Sequence, residues 1–389
     1  MATIETKELG VIPEDWELKK LGDIADNFDK KRKPISGLER AKIQGDYPYC
    51  GANGIVDYIN SYILDGEYVL LAEDGGYWGK CESSSYIMKG KFWVNNHAHI
   101  LLAKDRVTTN NFLMHILNYL NLDPYIGGDA RGKLTQAIMK SLLIPLPSFV
   151  EQCNIAHILS TIQSAVETQE KIIKTTTELK KALMQKLFTD GLHGESKKKT
   201  EVGLIPQSWE VVELNDVFQL TSGKERPSQL SPDRSNGYIY PVYGGNGILG
   251  YSKECLIDFQ TIVLGRVGVY CGSIFLTSGR SWISDNALYA KKMLRQCNLS
   301  YLSIALQLLQ LNKFKNTGGQ PLISQSIVYS KKIAIPSLQE QNELANVFAN
   351  IEKSLNNAQE KEVRLQELFK SMLHNLMTGQ IRVKDIRFS

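Results

Sequence analysis

The chain contains two copies of one long pattern, and each copy ends in an unusually long stretch of helical periodicity. These stretches cover residues 146–191 and 335–379. Both begin with Ser-x-x-Glu, a capping-box pattern in which Ser accepts from an amide of the first turn and Glu reaches back to the cap amide. Both stop at Gly, the residue type favoured just after a helix end. We predict two helices of about 40 residues, each rising roughly 60 Å.

Apolar residues recur along both stretches at the alternating three- and four-residue spacing of a coiled coil. The matching positions of the two copies lie 189 residues apart. Polar residues interrupt both stripes, so the repeat is imperfect. We predict two long helices packed on each other as a spacer, the alternative being two amphipathic helices that each cover a core. The central seam positions are Ile158, Ile162, Leu179, Leu183, Val347, Ile351, Leu368 and Met372.

Shorter motifs repeat in the same order along the chain. G-[VL]-I-P-x-x-W-E, Y-P-x-x-G-x-N-G-I (read from the first copy as Y-P-Y-C-G-A-N-G-I) and W-[VI]-x-[ND]-[HN]-A each occur twice. Their offsets are 193, 193 and 189 residues. The chain is therefore a tandem duplication of a globular part followed by a long helix. The copies of the three motifs begin at Gly10 and Gly203, Tyr47 and Tyr240, and Trp93 and Trp282.

The expected fold class is α+β, with two homologous mixed α/β globular parts and two long antiparallel helices that form a coiled coil with approximate two-fold symmetry. Short β-rich runs end in glycine-containing turns. A polar segment without hydrophobic anchors is predicted as a linker, and a short basic tail ends the chain. The expected boundaries are 1–147, 148–190 (first helix), 191–202 (linker), 203–336, 337–379 (second helix) and 380–389 (tail).

Composition restricts the class of protein only loosely. The 389 residues suffice for two or three domains, and 43% hydrophobic and 22% charged residues are ordinary for a globular protein. There is no run of about 18 apolar residues and no signal-peptide pattern. The six cysteines lack metal-type spacing, which favours reduced thiols and a cytoplasmic location. A net charge of +4 permits a polyanionic partner.

Basic and glycine-rich loops are the candidate DNA contacts. Basic loops can neutralise phosphates, and glycine-rich turns let side chains approach base edges; a solvated loop or a tight hairpin is the alternative for each. Residues 127–133 nearly match a phosphate loop but lack its hydroxyl residue, so we interpret them as a DNA-facing loop. The candidates are Lys30, Lys31, Arg32, Lys33, Tyr77, Trp78, Lys80, Arg131, Lys133, Lys224, Arg226, Arg266, Tyr270 and Gln320.

Catalytic and metal-binding patterns are weak. Asp123-Pro124-Tyr125 is one proline short of the tetrapeptide of N6-adenine methyltransferases, and we interpret it as a helix-ending turn. His97 and His99 are two residues apart, on one face of a predicted strand, with no ligand set around them. We predict structural roles for both histidines, no bound metal and no catalytic activity.

The order of these motifs over essentially the whole chain resembles the specificity subunit of type I restriction–modification enzymes. The resemblance implies that each globular part is a target recognition domain reading one half of an asymmetric, interrupted DNA sequence. It implies that the paired helices set the gap and dock two modification (methyltransferase) subunits, to which restriction subunits add. S-adenosylmethionine, ATP and magnesium are then cofactors of the partners, and none is expected on this chain.

The two globular parts differ in their basic and glycine-rich loops, so their half-sites are expected to differ. Two other functions remain as alternatives. One is a self-sufficient N6-adenine methyltransferase using residues 123–125. The other is a coiled-coil scaffold that binds only proteins.

Overall fold

The computed structural model describes residues 3–6, 10–127, 132–235, 237–316 and 321–386. It divides into two units. The first comprises residues 1–171 and 359–389, and the second comprises residues 172–358. Both long helices therefore contribute one half to each unit. Among the described residues, no helix has the length and apolar content needed to cross a membrane.

The first unit contains a mixed sheet packed against short helices. In chain order its elements before the first long helix are β1 (Thr3–Thr6), β2 (Gly10–Pro13), β3 (Glu17–Lys20), α1 (Leu21–Ile24), β4 (Ala25–Asn27), α2 (Gly37–Arg40), β5 (Gln44–Gly51), β6 (Gly54–Ile59), β7 (Leu64–Ala72), β8 (Ser85–Val94), β9 (Ala98–Ala103), α3 (Asn110–Tyr119), α4 (Gln136–Ser141) and β10 (Leu143–Leu146). The main sheet has the order β4-β9-β7-β8-β5-β6, and β10 pairs with β3.

The long helix α5 spans Phe149–Asp190, and the elements after it repeat the first series. They are β11 (Lys197–Thr200), β12 (Gly203–Pro206), β13 (Glu210–Glu213), β14 (Phe218–Ser222), β15 (Tyr240–Gly244), β16 (Gly247–Ser252), β17 (Ile262–Gly265), β18 (Ile274–Leu276), β19 (Trp282–Ile283), β20 (Ala287–Met293), α6 (Leu299–Leu308), α7 (Gln325–Tyr329), β21 (Lys332–Ile335) and the second long helix α8 (Leu338–Met377). The sheets β14-β20-β17-β18 and β16-β15-β19 repeat the order of the first unit. Two short strands, β18 and β19, stand where the first unit has the single strand β8.

The two long helices run antiparallel in each unit. In the second unit Lys180 pairs with Glu352, and the Phe188 ring lies 6.5 Å from that of Phe348. As residue numbers increase along α5, the numbers of the contacting residues in α8 decrease, as in an antiparallel pair. The expected fold class, with two homologous mixed α/β parts and two long antiparallel helices, is confirmed.

Each half of a long helix completes the core of its unit. In the first unit Ile155 and Leu159 of α5 and Leu376 of α8 are buried among residues of the globular part. In the second unit Leu344 of α8 is fully buried and Phe188 of α5 packs against the same core. Because the apolar stripe of each half faces a globular core, truncating one of these residues removes core packing, at a cost of about 2–5 kcal/mol.

The helix ends follow the predicted signals in part. The Oγ of Ser148 and of Ser337 accepts the backbone N–H of the third residue of its helix at 3.3 Å. Gly191 and Gly379 follow the helix ends with φ of 64° and 67°, a conformation in which glycine lacks the Cβ penalty. The Glu half of the predicted capping box is wrong, however, because both glutamates bind other parts of the chain.

Two further expectations are corrected by the structure. Part of the predicted polar linker forms β11, which pairs with β12 as β1 pairs with β2. Its sequence, Lys-Lys-Lys-Thr, has no apolar alternation, and the strand forms because β12 offers a hydrogen-bonding edge. The predicted basic tail is not free either, since Val383 is 2% exposed and Arg382 binds both Asp15 and Glu151.

Candidate nucleic-acid interface

Three loops of the first unit meet at one end of its sheet. They are the β5–β6 turn (51–54), the loop after β7 (73–80) and the β8–β9 turn (95–97); we call them the loop junction. They meet because the end of β7 pairs with the start of β9 (Ala72 opposite Ala98) and the end of β5 pairs with the end of β8. The Asn53 side chain also donates to the carbonyl of Gly75 at 2.9 Å. These loops carry several of the predicted DNA-binding residues.

The second unit builds the same junction from residues 244–247, 266–272 and 284–286. A Cβ placed on Gly245 would lie 3.1 Å from the carbonyl oxygen of Val267 and 3.3 Å from that of Asn286. Only glycine therefore allows this close approach without displacing backbone. The two junctions are homologous in position and in the way they are assembled.

A buried ionic network fills the floor of the first junction. Glu73 accepts from Arg32 and from Lys133, the latter at 2.6 Å. Arg32 also donates to the carbonyl of Ala98 at 3.1 Å and lies 3.4 Å from the Asp29 carboxylate. Burial would raise the pKa of Glu73, but hydrogen bonds from Arg32 and Lys133 hold it below its ordinary value.

His99 joins this network from β9. Its Nδ1 lies 2.6 Å from Asp29 Oδ2 and its Nε2 lies 2.7 Å from the carbonyl oxygen of Leu134. Both neighbours are acceptors, so the imidazolium form, with two N–H donors, satisfies both contacts. Burial would raise the pKa of Asp29, but the hydrogen bonds from His99 and from the amide of Ile100 hold it below its ordinary value. The structural role predicted for His99 agrees with these contacts.

The network also has the spacing of a metal site, but not its charge balance. Ligand atoms of Asp29, Glu73 and His99 lie within 4.8 Å of one another. The side chains of Arg32 and Lys133 already neutralise these carboxylates, and a further cation would meet two fixed positive charges. The residues therefore do not fit a metal ion.

Arg266 occupies in the second unit the backbone position of Glu73 in the first. The amide of Glu73 donates to His97 and its carbonyl accepts from Leu134; the amide of Arg266 donates to Asn286 and its carbonyl accepts from Ile323. The pairs His97/Asn286 and Leu134/Ile323 correspond in the sequence repeat. The same backbone site therefore carries opposite charges in the two units.

The Arg266 side chain has more unused hydrogen-bond donors for a ligand than the Arg32 side chain. Its Nη1 donates to the Ser222 hydroxyl at 3.0 Å, and no carboxylate pairs with it among the residues that the structure describes. Ser222, at the end of β14, corresponds in the repeat to Asp29, which lies just after β4. A guanidinium with unused donors at a loop junction can form the bidentate contact that guanine O6 and N7 accept.

Each junction also exposes one tyrosine at a homologous position. Tyr77 is 59% exposed and Tyr270 is 56% exposed, and each follows the charged residue of its loop by four positions. Exposed aromatic side chains at matching loop positions suit contact with bases or sugars. Both residues remain predicted DNA contacts.

The other predicted contacts divide into exposed and engaged residues. Lys30, Lys31, Lys33, Lys80, Lys224 and Arg226 are exposed. Trp78 is partly buried and packs against the core of the first unit. Arg32 is mainly structural, with a 17% exposed side chain, and this corrects the prediction of a free phosphate contact. Arg131 and Gln320 lie outside the described residues.

The predicted seam positions of the long helices are only partly buried in the structure. Leu179 is 51% and Leu368 is 46% exposed, so neither lies in the contact between the helices. A strict heptad drifts by about 20° per repeat relative to a straight helix, which moves seam positions out of contact away from the middle of the pattern. The intermediate positions are Ile158, Ile162, Leu183, Val347, Ile351 and Met372.

Asp123–Tyr125 forms a short 3-10 helix that follows α3, as a helix-ending turn would. His97 does not lie in a strand. It precedes β9, its side chain is 43% exposed, and its Nδ1 lies 2.5 Å from Asp74 Oδ1. Sequence reasoning did not connect Asp74 with His97, although the repeat alignment marks both as positions where the copies differ.

Comparisons with known proteins agree with this architecture. The model of the type I restriction modification DNA specificity domain matches residues 13–178 and 206–365, and the chain belongs to that family. The chain is 26% identical to the type I restriction enzyme MjaVIII specificity subunit of Methanocaldococcus jannaschii, over 97% of this chain and 95% of that protein. It is 22% identical to the EcoDI specificity subunit of Escherichia coli, over 96% and 90% of the two chains.

The fold is shared with a solved structure. The crystal structure of a type I restriction–modification S subunit from M. genitalium superposes with a TM-score of 0.70 at 16% identity, covering 94% of this chain and 96% of that one. The match to the family model and the match to the solved structure therefore support the same fold. Nothing in these comparisons supports a methyltransferase activity of the chain itself.

Proposed function

We propose that each unit reads one half of an asymmetric bipartite DNA target and that the long helices set the gap between the halves. The observation that carries this proposal is the charge inversion between Glu73 and Arg266. The buried Glu73 is paired with Arg32 and Lys133, whereas Arg266 has unused donors, so the two homologous loop junctions present different hydrogen-bonding groups and select different base pairs. Phosphate contacts by the exposed lysines position the protein without selecting sequence.

The division of labour follows from the same proposal. Residues 1–147 and 203–336 are the recognition domains, and the long helices dock two methyltransferase subunits, to which restriction subunits add. Exposed Leu179 and Leu368 offer apolar contact area for such partners. The chain itself is non-catalytic in this proposal, and S-adenosylmethionine, ATP and magnesium bind to the partners. Its place of action is the cytoplasm, where the DNA is.

The proposal is tested by the chain in complex with the modification subunits of its host. The complex is expressed in cells free of other DNA methyltransferases, and methylated bases are mapped over the genome. We expect one interrupted motif with two different halves. A continuous motif, or two identical halves, would contradict the proposal.

Binding separates this function from a scaffold that contacts only proteins. Affinity of the same complex for its target is measured at graded salt, where each phosphate contact contributes about 0.9 to the slope of log affinity against log salt. Replacing Lys30 and Lys31 with Ala is expected to weaken binding to all sequences and to lower the slope by about 2. A slope near zero for the unmodified complex would favour the scaffold.

A further inference from the structure

His97 and the preceding Asn96 are the solvent-facing residues of the β8–β9 turn. Its neighbours Asn95 and Ala98 are buried, whereas 43% of the His97 side chain is exposed. The homologous position in the second unit is Asn286, which is also exposed and follows the exposed Asp285. Both copies therefore present a side chain with hydrogen-bonding groups at the same point of the loop junction.

The His97 ring is held in a fixed orientation. Its Nδ1 lies 2.5 Å from Asp74 Oδ1, and its backbone N–H donates to the Asn95 side chain at 2.8 Å. Because a carboxylate accepts, Nδ1 carries the proton of this contact. In the neutral imidazole Nε2 is then an acceptor, and it has no hydrogen-bond partner among the described residues.

The concave surface in front of this ring can admit a base edge. A shallow cavity of about 590 Å³ is lined by the β5–β6 turn, Asp74, Gly75 and His97. Gly54 and Gly75 have φ of 119° and 64°, and a Cβ on either would meet no atom within 4 Å. Backbone without side chains and with open space above it permits close approach of a ligand. Arg40 in the cavity wall is already paired with Asp57.

The second unit has no equivalent of this pair. Val267 takes the position of Asp74 and Asn286 that of His97, so the carboxylate that orients the ring in the first unit has an apolar residue as its counterpart. The first unit thus offers an oriented acceptor beside a neutralised Glu73, and the second offers the donors of Arg266. A contact of this kind affects one half-site only.

We propose that His97, oriented by Asp74, reads a base with an exocyclic amino group, adenine or cytosine, in the half-site of the first unit. These are the bases that present an N–H donor in the major groove. The inference rests on the proposed function, since it names one reading contact of that interface. His97 acts on the base and Asp74 is a positioning residue.

The test maps methylated bases for the complex carrying His97→Ala. We expect one position of one half-site to lose discrimination, roughly 5- to 150-fold, with the other half-site and the gap unchanged. His97→Gln, which keeps an acceptor, is expected to retain part of the discrimination. Asn286→Ala is the matched control and should leave the half-site of the first unit unchanged.

An unchanged motif in both His97 variants would overturn the inference. So would a uniform loss of methylation at all sequences by folded variants, because that result indicates a general role in binding or structure. If the complex without any substitution yields no bipartite motif, the proposed function itself is wrong. That outcome distinguishes failure of the proposed function from failure of the His97 inference.

Discussion

The carboxylate of Glu340 accepts the indole N–H of Trp209 at 3.0 Å, inside the second unit. Its other oxygen accepts the amide of Leu192, just after the end of α5, at 3.0 Å. In the first unit Glu151 has the same place in α5, but it binds Arg382 and the amide of Val383, after the end of α8. Each helix start is thereby tied to the end of the other helix.

Replacing Glu340 with Ala is expected to lower the free energy of unfolding of the full chain by about 2–4 kcal/mol. The substitution leaves the buried indole N–H of Trp209 and the partly buried amide of Leu192 without an acceptor. Chemical denaturation followed by tryptophan fluorescence measures this change. Glu340→Gln, which retains one acceptor, should cost less, and Glu343→Ala at a more exposed position should cost under about 0.5 kcal/mol. Equal losses of unfolding free energy for Glu340→Ala and Glu343→Ala would contradict a stabilising role of the Glu340 hydrogen bonds.

Replacing Arg32 with Ala is expected to destabilise the protein by about 2–3 kcal/mol rather than merely weaken DNA binding. Glu73 would lose its Arg32 partner while remaining buried. Lys31→Ala, one residue away and exposed, serves as the control and should leave stability within about 0.5 kcal/mol of the unmodified chain. Thermal unfolding of both variants decides between a structural Arg32 and a free phosphate contact.

The stability of the protein should decrease as the pH falls from about 6.5 to 4. Burial lowers the pKa of His115 to about 4, and its Nε2 lies 3.1 Å from the Ser160 hydroxyl. The unfolded chain binds a proton at the ordinary pKa of about 6.5 while the folded chain does not, so the contribution is complete above pH 6.5 and diminishes below it. The loss approaches about 3 kcal/mol at pH 4.

This pH dependence is measured by urea denaturation at several pH values, compared with His115→Gln. The variant should show a shallower decrease between pH 6.5 and 4.5. Identical slopes in both proteins would show that His115 is not the titrating group. Below pH 4.5 the depressed pKa values of Asp29 and Glu73 act in the same direction, so that range does not isolate the histidine.

Replacing Arg266 with Ala is expected to relax one position of the half-site read by the second unit. The expected change in discrimination is about 1–3 kcal/mol, since a bidentate guanine contact is lost. Methylated-base mapping of the complex measures it. Lys224→Ala is the control, expected to reduce methylation at all sequences without altering the motif. Relaxation in both half-sites at once would argue against a contact confined to one unit.

Lengthening the two long helices together should lengthen the gap and nothing else. Inserting one helical turn near Thr176, with a matching insertion near Glu362, keeps the helix faces aligned and adds about 5.4 Å of rise. Methylated-base mapping should show both half-sites unchanged and their separation increased. Changed half-sites with the original gap would refute the idea that the helices set the distance.

Much of the fold could be predicted because the duplication repeats every strong signal. Helix starts at Ser148 and Ser337 and the glycines after the helix ends follow from local chemistry. The exceptions come from tertiary contacts. Glu151 and Glu340 leave the predicted capping contact because buried donors elsewhere compete for them, and Lys197–Thr200 forms a strand through pairing alone.

The loops that form the candidate site could be predicted from the sequence, but the side-chain pairs within it could not. Arg266 and the glycine-rich turns stand out by residue type and position. That Arg32 is held by Glu73, or His97 by Asp74, depends on which strand ends meet, and no spacing in the sequence encodes those distances. The first unit therefore differed most from expectation where charges of both signs are close together.

The shared backbone position of Glu73 and Arg266 has a consequence for how such a protein changes over generations. Main-chain hydrogen bonds hold that position in both copies whatever side chain it carries. A substitution of Arg266 keeps these backbone contacts and breaks only its contact with Ser222, whereas a base in place of Glu73 would meet the cations of Arg32 and Lys133. New target preferences can thus arise in the second copy by a single replacement at position 266, whereas the first copy must change the basic partners of Glu73 as well.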